Sequence, residues 1–124
     1  MTTYNPPHNP TDSAKVSAMI ESIIAGNDLP PIVYVGETAL TGSHRIAAYM
    51  LAERDERRDR DLCIPAIEAS DIDLKRALVV CGVKWADMAE HNVLCHALMS
   101  VTRDEEVRAA LADQTHSDRA PGVE

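Results

Sequence analysis

From Ile32 to Glu53 the order of residues leaves the backbone few choices. Ile32-Val33-Tyr34-Val35 reads as a short strand, Gly36-Glu37 suits a tight hairpin turn, and Thr38 to Thr41 supplies the partner strand. That hairpin delivers Gly42-Ser43 directly to a helix expected from about His44 to Glu53. A glycine at such a junction lets the main chain approach an anion closely. The first helical turn leaves N–H groups unpaired, and the helix dipole adds partial positive charge at the same point. Ser43 is the expected N-cap, and Arg45 can add a charge-assisted fork to a phosphate oxygen. The same residues serve equally well as an ordinary strand-to-helix turn, and the flanking sequence has to decide.

Residues 1–11 read as an extended arm. Val16, Met19, Ile20, Ile23 and Ile24 follow helical spacing in a segment from Ser13 to Ala25, with Asp12 or Ser13 as its cap and Gly26-Asn27 as its end. Leu62 to Ala69 reads as a further strand, which Pro65 restricts to an edge or a strand end. Ser70 or Asp71 then caps a helix through Cys81, and Gly82 interrupts it. A longer helical stretch runs from Lys84 to Val101, with Trp85, Met88, Ala89, Val93, Ala97 and Val101 able to face inward. Asp104 to Ala112 makes a last helix, followed by a polar tail from Gln114 to Glu124. The expected architecture is an α+β domain, a small mixed sheet with helices packed against it.

With 124 residues the chain should form one domain with a single modest core. It has no phenylalanine, one tryptophan and three tyrosines, so that core must be built from Ile, Leu, Val, Ala and Met. A formal net charge of −8 argues against broad attraction to a nucleic-acid backbone. The densest basic stretch, Arg54 to Asp61, alternates in sign and carries no aromatic residue to stack on bases, so it reads as a solvated helix end and linker. No apolar run is long enough to span a membrane, and the first residues lack the pattern of a secretory signal; a soluble, cytoplasmic protein is expected. Three cysteines without paired spacing imply free thiols, with Cys63 and Cys81 as packing groups. His91 and Cys95 share one helix face, but the sequence offers no clear complement of further ligands and no metal site is assigned.

Taken in order, Ala14-Lys15-Val16, Ser22-Ile23, Pro30-Pro31-Ile32, Gly42, His44-Arg45, Ala47-Ala48-Tyr49 and Ile64-Pro65-Ala66 resemble the ParB/sulfiredoxin superfamily, with sulfiredoxin-like domains the nearest match. The resemblance spans roughly residues 10 to 80. The superfamily-like core is placed over residues 12–83, and the residues beyond the resemblance read as a helical extension over 84–113 and a tail over 114–124. The resemblance also implies that Lys15, Ser22, His44 and Arg45 help bind ATP or ADP, with Mg²⁺, beside the Gly42 and Ser43 turn. One departure limits the chemistry: sulfiredoxin has a cysteine between its glycine and histidine, and this chain has Ser43, a far poorer nucleophile. Sulfinic acid reduction is therefore not expected. The ParB CTP switch also fits poorly, because its additional arginines and later Glu-Asn-x-x-Arg motif have no counterpart here.

Two functions follow from different classes. In the first, the chain is an ATP- or ADP-dependent phosphotransferase or nucleotide hydrolase, with Glu21 as candidate base and His44 in the catalytic set. In the second, it is a non-enzymatic module that keeps the anion pocket and binds a protein, through its C-terminal helices, or less readily a nucleic acid.

Overall fold

A computed structural model describes residues 1–6, 9–82 and 91–119. Among these the chain forms five helices and a three-stranded mixed sheet, the small α+β fold expected. In chain order the elements are α1 (Ser13–Ile24), β1 (Ile32–Val35), β2 (Thr38–Ala39), α2 (Ser43–Glu53), β3 (Ala66–Glu68), α3 (Asp71–Cys81), α4 (His91–Val101) and α5 (Glu105–Arg119).

The sheet order is β2-β1-β3. Strand β1 runs antiparallel to β2, with Tyr34 opposite Ala39, and parallel to β3, with Val33 opposite Ile67. Successive strand residues point to opposite faces, and here both faces are covered. Ile32, Ala39 and Ala66 pack with Val16, Ile23, Ile46, Tyr49 and Ile64 on the α1–α2 side. Val33, Leu40 and Ile67 pack with Ala77, Leu94, Leu98, Val107 and Leu111 on the α3–α5 side. Ile32 and Val33 are therefore both fully buried although they are neighbours, which is why β1 is apolar throughout rather than alternating. The C-terminal helices thus complete the core: α5 lies against β1 and β3, and α4 fills the space between α5 and α3.

Several boundaries differ from the sequence reading. Strand β3 begins only after Pro65, whose carbonyl accepts from the Ile32 N–H at 2.9 Å but which has no N–H of its own to pair. It is the edge strand that this proline suggested. Cys63 is exposed, not a packing group, because the extended segment turns Leu62 and Ile64 inward and Cys63 the other way. Helix α5 continues to Arg119, past the point where a tail was expected. The expected inward residues Trp85, Met88 and Ala89 lie outside the described residues, as do the side chains of Cys81, His91 and Val93. In the N-terminal arm, Asn5 joins the free side of β2: its N–H donates to Glu37 O and its carbonyl accepts from Ala39 N, both at 2.8 Å.

Helix starts follow the expected chemistry at two of three tested places. Asp12 caps α1, its Oδ1 accepting from Lys15 N at 2.9 Å, and Ser70 caps α3 through the N–H groups of Ile72 and Asp73. At α2 the cap is Gly42, not Ser43, which lies within the first turn. Gly42 holds φ +92°, and a Cβ there would lie 2.3 Å from Ile32 Cγ2. The turn and the central strand are in contact with no room for a methyl group. Gly42→Ala should therefore cost roughly 2 to 5 kcal/mol, combining left-handed strain with overpacking. Gly36→Ala, at φ +61° with open space around it, should cost only about 1 to 2 kcal/mol. Urea unfolding midpoints of the two variants check this, and equal midpoints would remove the contact with Ile32 from the account.

Candidate functional site

The Gly42 turn is tied to the sheet before it does anything else. Thr41 Oγ1 accepts from Val33 N at 3.0 Å, and Ile46 N donates to Gly42 O at 2.8 Å to begin the helical ladder. Ser43 is 3 % exposed and is the first residue of α2, one position past the cap.

Arg45, one residue further into the helix than His44, is 5 % exposed. Its Nη1 donates to the carbonyls of Pro30 at 2.8 Å and Pro31 at 2.7 Å. Pro30 and Pro31 precede β1, so their carbonyls lie outside the strand ladder and need other partners. The guanidinium satisfies them with charge-assisted bonds. One turn along the same face, Tyr49 Oη accepts from Leu29 N at 3.0 Å, and burial pushes the phenol upward from its usual range. Arg45 and Tyr49 together hold the Leu29–Pro31 loop against α2.

His44 points the other way. Its Nε2 accepts from Thr11 N at 3.3 Å and from Asp12 N at 3.2 Å, the two amides that lead into α1. With Asp12 also bonded to Lys15 N, the starts of α1 and α2 meet around this imidazole. The structure thus brings Lys15, Gly42, Ser43, His44 and Arg45 into one neighbourhood. It does not bring Glu21 and Ser22 there: they follow Lys15 by six and seven residues, about 9 to 10 Å along the helix axis.

Glu21 is engaged elsewhere. Its two carboxylate oxygens accept from Arg57 Nη1 at 2.9 Å and Nη2 at 2.6 Å, and Arg57 also grips Asp55. The Arg57 hydrogen bond lowers the Glu21 carboxyl below its ordinary range, and the same guanidinium lowers Asp55 to about 2. A carboxylate held in this way is a weaker base than a solvated one. The sequence reading missed this clamp. The sign alternation read as a solvated linker is an arginine set that returns to α1: Arg60 reaches Ile23 O, Asn27 O and Asp28, at the end of the helix where carbonyls lack partners. Arg58 closes the linker on itself through Glu53 O and Arg60 O.

Among the described residues, no group of three or more His, Cys, Asp or Glu converges as a metal site. Cys95 is buried and its thiol faces Leu40 O at 3.9 Å. No helix of the described residues is long and apolar enough to cross a membrane.

Two outcomes test these assignments. Arg45→Ala should destabilise the chain by about 1.5 to 3 kcal/mol, since it removes two charge-assisted, partly buried bonds to the Pro30 and Pro31 carbonyls. Arg45→Lys should recover only part of that loss, because an ammonium cannot reproduce the planar donor set. Thermal unfolding of the two variants reads both effects. The second concerns acid. Asp55 is held at about 2 against an ordinary 3.8, so its contribution is present above 3.8 and is lost as the pH falls through about 2. A carboxylate-detected NMR titration should show Asp55 titrating near 2 and moving up toward 3.8 in Arg57→Ala. An Asp55 midpoint unchanged by that substitution would dissolve the clamp.

No protein-family model, curated protein or solved structure matches the chain.

Proposed function

We propose that this chain is a phosphate- or nucleotide-binding domain similar to the ParB/sulfiredoxin superfamily, and that it works by binding rather than by phosphoryl transfer. The observation that carries this reading is the meeting of two helix starts around His44 Nε2. Each helix start concentrates partial positive charge, which favours an anion; the Asp12 carboxylate takes part of this at α1, so the α2 start contributes more. The buried Arg45 charge lies directly behind the Gly42 turn, where it adds to the local potential, and Lys15 stands in the first turn of α1. ATP or ADP with Mg²⁺ is the ligand class this arrangement suits.

Transfer chemistry is the weaker alternative, for two reasons. Glu21 is committed to Arg57 and lies more than a turn from Lys15, beyond the hydrogen-bond reach a general base requires. Ser43, a poorer nucleophile, stands where sulfiredoxin has a thiol, and it is buried. The linker arginines are engaged with α1 or with the linker itself, which disfavours a nucleic-acid partner. A protein partner would meet the outer faces of α4 and α5, whose inner faces are occupied by the core. Cys63 and Cys95 as free thiols suit a reducing, cytoplasmic setting.

Titration with ATP, ADP and CTP, with and without Mg²⁺, followed by amide NMR and product analysis, tests the proposal. The expected result is shifts confined to residues 11–15 and 42–46 with no product formed. Shifts elsewhere with those amides unmoved would reject the site. Steady conversion of nucleotide would reject the binding-only role in favour of an enzyme.

A further inference from the structure

We infer that His44 is a positioning residue and not a phosphate ligand through Nε2: it sets where α1 begins, and through Asp12 where Lys15 stands relative to the Gly42 turn. This rests on the binding reading above. Thr11 N–H and Asp12 N–H both reach Nε2, and a backbone N–H only donates, so this nitrogen carries a lone pair and accepts. Phosphate oxygens also only accept. The same nitrogen therefore cannot serve the two amides and a phosphate at once. The bond spans more than thirty residues of sequence and joins segments that no strand ladder connects. Asp12, held by its own N–H to His44, in turn accepts from Lys15 N at 2.9 Å. The chain of contacts runs from α2 through the imidazole to Asp12 and ends on the residue that the binding reading needs as its cation. Among the described residues, the charged groups at this junction include Asp12, the cap of α1, Lys15 in its first turn and Arg45 from α2.

Amide hydrogen exchange and ATP affinity, measured on the intact chain for wild type, His44→Ala and His44→Gln, separate positioning from direct contact. His44→Ala should speed exchange at Thr11 and Asp12 and weaken ATP binding, each by roughly three- to tenfold, the span of one hydrogen bond. His44→Gln should restore both, because its side-chain carbonyl offers an acceptor at nearly the same reach. Exchange at Thr11 and Asp12 unchanged in His44→Ala would overturn the latch. Protection restored by glutamine without restored affinity would make the imidazole a direct ligand and overturn the positioning role. Absence of ATP binding to the wild type would reject the binding reading, and the positioning role with it, while the exchange data would still decide whether the bond holds α1.

Discussion

The Arg45 guanidinium on the carbonyls of Pro30 and Pro31 is the constraint from which the rest of the molecule is arranged. Burying a charged group is expensive unless its donors are met, so the loop carbonyls and the arginine satisfy one another. That pair fixes the entry of β1 beneath α2. With β1 in place, Ile32 faces the α1–α2 layer, Val33 the α3–α5 layer, and Gly42 must be a glycine because Ile32 occupies the space a side chain would take. A single buried cation thus couples a loop, the central strand and the helix start that forms the candidate site.

What could be read from sequence was what local chemistry dictates. The glycine turn at Gly42, the apolar run of β1 and the caps of α1 and α3, Asp12 rather than Ser13 and Ser70 rather than Asp71, each follow from a few neighbouring residues. The N-cap of α2 was displaced by one residue because glycine already supplies the turn, and Ser43, the first residue of the helix, is buried. Cys63 was legible after all: alternation along Leu62-Cys63-Ile64 turns it away from two buried neighbours.

The site's chemistry was harder to read because its partners are distant in sequence. Arg45 meets carbonyls fourteen and fifteen residues upstream, and His44 meets amides more than thirty residues upstream. Glu21 is a candidate base by residue type, and nothing local announces that Arg57, thirty-six residues later, would claim it. A basic side chain beside a glycine turn has two uses, gripping a ligand or gripping the backbone, and residue identity alone does not separate them.

The pairing of Asn5 with β2 bears on how the molecule keeps to itself. Strand β2 is two residues long and lies at the margin of the sheet, where Glu37 O and Ala39 N would otherwise face outward as an open template. Asn5 occupies both groups, and Tyr4 beside it lies 4.6 Å from Tyr34, centroid to centroid, over the adjoining strand. The arm therefore acts as a fourth, minimal strand that blunts one border of the sheet. A chain trimmed before Tyr4 would keep its fold and its arm; one trimmed after Asn5 would present β2 to other chains, and its solubility would become a matter of concentration.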